Sequence, residues 1–377
     1  QLDKGDKQSA MQYIGGSAQM MNAAAAADSS AVAETAAMVV LLSAEGSEAT
    51  DADLDKAVAA AEAAAEAVAA KAAAKAALRA DVLSKTREAS VGSSGDLGAL
   101  AQQADSASQL TAAGDELDNE TLANAFDFLG SMASETASSP DQLPMSTGKS
   151  MLTGLSNLVS ATTPKLNCTN ITNEAGETVP NPNCSAAAYF ANFTEEDKQL
   201  AAERARNASK AVKAMQASLV RENVNGEEAA VISSATMNSS SQRNDAAKLA
   251  STGASVSAGD NKIDLPPALM ALLAGKESFD SHAINYDSNP YAYAGMPVMN
   301  GTQGGEDGNA LNLTNATQSM GSKVLSFSLM TGYDDVGVSD VAEPIVLEIP
   351  LTAPLAEGLE GECLYFNKTM DAWSSDG

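Results

Sequence analysis

Few side chains in this sequence have the chemistry of a catalyst. There is a single histidine, His282. A general base needs a nucleophile or a metal beside it. No Ser/His/Asp or Cys/His set can be assembled around His282, and no His/Cys cluster has zinc-ligand spacing. An ordinary loop or surface position is the expectation for it. No glycine-rich loop of the phosphate-binding kind opens a helix. The acidic turn Asp334-Asp335, with Asp340, offers oxygen ligands to calcium but lacks EF-hand spacing, so a solvated turn is the simpler reading. The sequence therefore calls for no cofactor, no metal and no enzyme.

The cysteines and asparagines carry more. Cys168 and Cys184 bracket a polar loop rich in Asn, Thr and Pro, and can close it as a disulfide. Both lie inside Asn-x-Ser/Thr sequons, at Asn167 and Asn183. Further sequons fall at Asn119, Asn170, Asn192, Asn207, Asn238, Asn300, Asn312, Asn315 and Asn367, eleven in all. One sequon is weak evidence. This density beside a closable cysteine pair points to a secreted or luminal chain carrying N-glycans. The plainer alternative is a Ser/Thr-rich cytosolic protein. Cys363 has no evident mate in the chain, and an odd cysteine in an oxidising compartment asks for one.

Composition limits the partners. Asp and Glu number 49 against 22 Lys and Arg, a net charge of −27 over 377 residues. Nucleic acid is excluded as a partner, because binding it requires cations to neutralise phosphates. Aromatics are only 4% and much of the apolar content is alanine. One compact part plus extended helical material is expected rather than a single globule. No apolar run is long enough to cross a bilayer.

The elements follow in order. An alanine-rich stretch from Ser17 to Ala44 reads as one or two helices. Asp51 to about Thr86 reads as a strong helix, acidic at its start and basic at its end, as the helix dipole favours. Its Leu54, Val68, Leu78 and Val82 fall on a heptad seam. Residues 90–98 read as a linker. Helices are expected near 99–113, 118–136 and 145–161. Another begins at the capping box Thr194–Asp197 and runs to about Val220, with Leu200, Arg204, Ala208, Val212, Met215 and Leu219 along one packed face. From Asn225 the character turns to strands: 229–234, 235–243, and Val324–Leu329 with Leu325, Phe327 and Leu329 inward and Ser326 and Ser328 outward. Between them Leu265–Leu273 makes one helical turn or two, and Ala283–Tyr286 and Tyr291-Ala-Tyr293 flank Asn289-Pro290. Residues 250–262 read as polar. Glu343–Pro350 reads as a strand with Ile345, Leu347, Ile349 and Leu351 on one face. Helices first and strands after make an α+β fold. The expected organisation is an alanine-rich region over 1–95, a helical subdomain over 96–222 containing the Cys168–Cys184 loop, and an antiparallel β-sandwich over 223–377.

The chain's last fifteen residues hold its one tryptophan. A strand, a loop, then Cys363-Leu-Tyr365-Phe366 and Trp373-Ser-Ser-Asp-Gly377 resembles the GPS segment that closes a GAIN domain. The form with Tyr-Phe after the cysteine looks most like that of the polycystin-1 family. The resemblance covers about residues 99–377 and leaves residues 1–95 unmatched. It implies a GAIN-like order, a helical subdomain followed by a sandwich whose sheet buries the Trp373 indole. It implies that Cys363 pairs with a second cysteine beyond Gly377. It further implies an extracellular region, on the plasma or ciliary membrane, of a receptor or cation-channel subunit that holds the C-terminal fragment of its own precursor. Other extracellular or membrane proteins would be its partners. Family members cut themselves at a His-Leu-Thr/Ser site. That site would lie past Gly377, so no catalytic residue is carried over. The competing reading is a secreted, glycosylated adhesion or structural protein with the alanine-rich helix as a coiled-coil stalk.

Overall fold

The computed structural model describes residues 70, 73–88, 96–162, 171–172, 178–179, 194–273, 275–287, 289–294, 322–338, 341–351, 361, 363–370 and 372–374. The expectations for residues 17–44, for most of 51–72 and for the Cys168–Cys184 loop lie outside them. So do Asn167, Asn170, Asn183, Asn192, Asn300, Asn312, Asn315, Asp340 and Gly377. The fold is α+β with antiparallel sheets. Its contacts divide into two compact units, one made of residues 1–135 and 146–158 and the other of 136–145 and 159–377.

The first unit is helical. Helix α1 spans 73–88. It buries Arg79, Val82, Leu83 and Thr86, one helical face by the i, i+3, i+4, i+7 rule, while Leu78 is 47% exposed. Of the expected heptad seam, Val82 lies on the packed face and Leu78 does not. Arg79 is paired through Nε with Glu116 Oε2 at 3.0 Å. Helix α2 (Leu97–Leu110) starts at Asp96, whose carboxylate accepts from the Gly98 and Ala99 amides. Helices α3 (Asn119–Ser138) and α4 (Met145–Thr162) follow, close to the spans the apolar periodicity predicts. Leu122, Phe126, Leu129 and Ala133 on α3, and Met151, Leu152, Leu155 and Leu158 on α4, are all buried. Gly154 lets α4 approach α3: a Cβ there would meet the Leu129 Cδ1 at 3.1 Å.

The second unit begins, among its longer elements, with α5 (Glu195–Leu219). The predicted capping box is present, with Thr194 and Asp197 bonding reciprocally. Of the predicted stripe, Arg204, Ala208, Val212, Met215 and Leu219 are buried. The short strands β1 (Ile171–Thr172) and β2 (Thr178–Val179) pair with each other. Strands β3 (Ala230–Ser233), β4 (Met237–Asn244), β7 (Phe279–Tyr286), β8 (Val324–Thr331) and β9 (Asp334–Asp335) form an antiparallel sheet in the order β3-β4-β7-β8-β9. A second sheet has the order β10-β6-β5, from β5 (Ala254–Ala258), β6 (Asn261–Leu265) and β10 (Val346–Glu348). Helices α6 (Ala246–Leu249) and α7 (Pro267–Leu273) add Ala246, Leu269, Met270 and Leu273 to the core. The change of character at Asn225 marks a change of secondary structure, not of packing, because α5 belongs to the same unit as the sheets.

Pleating assigns the two faces of the larger sheet. On one face Phe279, Ala283 and Leu329 join Val256, Ala258, Ile263 and Leu265 in a single core, with Leu325 and Phe327 packed against it. This is the sandwich interior, and the inward set on β8 is the one alternation predicts. Two expectations change. Residues 250–262, which read only as polar, enter the β5–β6 hairpin. Small residues (Ala254, Val256, Ala258) alternating with serines bury one face while reading as polar overall. The strand near Ile345 is only three residues long, at a sheet edge. Leu347 and Leu351 are 52% and 49% exposed instead of inward, and only Ile345 packs on the core. Pro344 and Pro350 bracket it and donate nothing to a ladder, which limits its length.

Candidate functional site

The C-terminal segment folds as a hairpin, β11 (Tyr365–Asn367) with β12 (Ala372–Ser374), in which Phe366 is paired with Trp373. Asn367 shapes its turn: the side-chain Oδ1 accepts the amides of Thr369 and Met370 at 3.0 and 3.1 Å. This hairpin pairs with neither large sheet. The expectation that a sheet buries the Trp373 indole is thus corrected. The indole and Phe366 pack instead against Tyr291, Tyr293 and Ala294, on a short 3-10 turn (Ala292–Ala294) and the residue before it, and against Ala201, Ala202 and Ala205 of α5. Phe366 stacks on Tyr291 with centroids 4.2 Å apart and planes inclined by 15°. Trp373 meets Phe366 edge to face at 5.6 Å. Its Nε1 donates to the Tyr291 carbonyl at 3.3 Å. Burial pushes the Tyr291 hydroxyl's pKa up, with Ser209 pulling the other way.

Cys363 is a free, exposed thiol. Tyr365 points largely to solvent, at 43% exposure. So of the four described members of the motif, Phe366 and Trp373 anchor it. Their partners Tyr291 and Tyr293 were not legible as such. A Tyr-x-Tyr after Asn289-Pro290 was the available signal, and it reads equally well as a strand.

Beneath α5 lies a second polar feature. Gln216 donates through Nε2 to Ser239 Oγ at 3.0 Å and to the Ala283 carbonyl at 3.2 Å. Because Ser239 faces α5, so do its same-face neighbours Ser241 and Arg243 on β4 and His282 and Asp280 on β7, by the register Ser241↔His282 and Arg243↔Asp280. On the other side of β7, Ser328 is paired with His282. Ser326 and Ser328 are therefore not on a solvent face, as alternation alone implies, but on the face that carries α5. His282, expected in a loop or at the surface, is 1% exposed at the middle of a central strand. Among the described residues neither ring nitrogen has a hydrogen-bond partner, and Ser241 Oγ has none either. Burial lowers the imidazole pKa to about 4, with the Lys213 charge acting in the same direction. Lys213 holds both carboxylate oxygens of Asp335, at 2.7 and 2.9 Å. That ion pair is the use the structure makes of the acidic turn, and no group of acidic, histidine and cysteine side chains able to hold a metal occurs among the described residues.

Four sequon asparagines are described. Asn119 opens α3 and is exposed; Asn207 on α5, Asn238 on β4 and Asn367 are half-buried. An open groove of about 480 Å3 lies between β5, β6 and Pro344–Val346, and its one charged wall, Asp264, is paired with Lys262.

No family model and no curated protein matches the sequence. Among solved structures, the full extracellular region of zebrafish Gpr126/Adgrg6 is similar at a TM-score of 0.42 and 12% identity. The match covers 74% of this chain and 31% of that one. Among the described residues, no helix is long and apolar enough to cross a membrane.

Proposed function

We propose that this chain is the extracellular, GAIN-like part of an adhesion-type membrane receptor, and more finely of a polycystin-1-like receptor or cation-channel subunit. In this reading it holds the C-terminal fragment of its own precursor and meets other extracellular or membrane proteins. In this reading no residue of the chain is given a catalytic role. The observation that carries the reading is the terminal hairpin docked by Phe366 and Trp373 onto Tyr291 and α5. Such a latch is built of stacked rings and one hydrogen bond. Contacts of that kind hold a chain end firmly yet release it without breaking a covalent bond.

The test is expression of the full precursor in glycosylating cells, followed by surface labelling and non-reducing peptide mapping. The expected result is a cell-surface product with Cys168 linked to Cys184, glycans on sequons such as Asn119 and Asn367, and a membrane-anchored C-terminal part. Free thiols at Cys168 and Cys184 with bare asparagines overturn the reading. A glycosylated product found entirely in the medium replaces it with a secreted structural protein.

A further inference from the structure

The chain has one histidine, and the fold places it where a charge has nowhere to go. His282 lies between Ser241 and Ser328 on the face that carries α5, with both ring nitrogens unpartnered among the described residues. The charged groups around it come from every element packed there. Lys213 faces it from α5, Arg243 from β4, Asp280 from β7 itself and Asp335 from β9. Lys368, on the β11–β12 turn, is near enough to Lys213 and Asp335 to feel both. Neither carboxylate is free. Asp280 is forked by Arg243, Nε to Oδ1 at 2.9 Å and Nη2 to Oδ2 at 3.1 Å. Asp335 is held by Lys213.

We propose that His282 is an acid-sensitive switch on the seating of α5: protonation adds an unpaired cation to this layer, and α5 separates from β4 and β7. Buried charges without a partner are not tolerated. Water admitted by separation is the cheapest way to solvate an imidazolium between Lys213 and Arg243. The terminal hairpin follows, because Trp373 and Phe366 rest on the same helix. The inference stands on this geometry and does not depend on the receptor reading.

The sign follows from the depressed folded-state pKa. The neutral ring's contribution is complete above the unfolded value of 6.5 and is lost as pH falls toward about 4. Between pH 7.4 and pH 5, linkage across that interval amounts to about 25-fold in the closed-to-open ratio.

The experiment is native-state hydrogen exchange at both pH values, corrected for intrinsic exchange, on the wild-type chain and on His282→Gln. Expected is roughly 25-fold greater opening of α5 amides at pH 5 in the wild type, with β5 and β6 amides unmoved and the response absent from the variant. An equal response in the β5–β6 hairpin, or an undiminished one in His282→Gln, overturns the proposal. Should the variant fail to fold, proton NMR titration of the single imidazole in the wild-type chain decides. A pKa well below 6.5, with α5 resonances broadening alongside, supports the switch; one near 6.5 overturns it.

Discussion

The Trp373 indole donates its Nε1 hydrogen to the backbone carbonyl of Tyr291, 82 residues earlier in the chain. One side chain thus ties the C-terminal hairpin to the turn after β7. Replacing Trp373 with Phe keeps most of the ring contact and removes the hydrogen bond, a loss of about 1 kcal/mol. Replacing it with Ala removes a half-buried indole as well, for a total of about 2–3 kcal/mol. Limited proteolysis reads the difference as cleavage within 363–374. The wild type, with its single tryptophan, gives an undocking signal by fluorescence.

Arg243 and Asp280 form a forked pair on adjacent strands, with the Asp280 side chain only 3% exposed. Arg243 also donates to the Arg221 carbonyl, and Arg221 in turn donates to the carbonyls of Thr136 and Ala137 at the end of α3. Removing the cation leaves a buried carboxylate without a partner. Arg243→Met should cost about 3–5 kcal/mol, and the double change Arg243→Met with Asp280→Leu much less. Urea unfolding of the single and double variants measures both.

Two glycines with positive φ separate backbone strain from steric collision. Gly226 has φ +84 and nothing within 4 Å of where a Cβ would stand. Gly226→Ala should cost about 1–2 kcal/mol, the left-handed penalty alone. Gly253 has φ +72, and its Cβ would come within 2.4 Å of the Leu265 carbonyl oxygen. Gly253→Ala must also displace the β5–β6 pairing, so its thermal midpoint should fall clearly below that of Gly226→Ala.

The start of α5 titrates in a different window from His282. The Thr194 hydroxyl, then the Thr194 amide, hold the Asp197 carboxyl below its usual range. A depressed carboxylate pKa gives stability that is complete above about pH 4 and lost as pH falls through the depressed value. Cα chemical shifts of Glu195–Leu200 should therefore move toward coil only below about pH 4. In Asp197→Asn the part of this pH dependence that comes from the capping box should be lost.

Glycan occupancy should follow local space. Asn367 commits its Oδ1 to the hairpin turn and leaves the nitrogen free of that bond. Asn238 lies on β4 under the β5–β6 turn, where a Cβ on Gly259 would already come to 3.6 Å from its Nδ2. Mass spectrometry of protein from glycosylating cells should find Asn119 and Asn367 occupied and Asn238 bare.

Much of this architecture was legible before any coordinates. Local rules place α3, α4 and α5 closely, by apolar residues at helical spacing and the capping box at Thr194, whereas the Asp96 cap that starts α2 lies inside the stretch that reads as a linker. Strict alternation shows the inward face of β8. The β5–β6 hairpin escaped notice because its buried face is made of alanine and valine, too small to outweigh the serines between them. Val346–Leu351 misled in the opposite direction, because its large apolar residues sit on an edge strand and are exposed there.

What the sequence determined alone is the run of long helices, the alternating face of β8 and the order of helices before strands, since caps, periodicity and alternation act over a few residues. What only the tertiary structure decided is which faces meet. The alternation that sends Leu325 to the sandwich interior also sends His282 and Ser328 to its opposite face, and nothing within β7 or β8 says that α5 lies there. In the same way, Trp373 declares itself an anchor by its size, but Tyr291 and the alanines of α5 become its berth only through contacts between residues far apart in the chain.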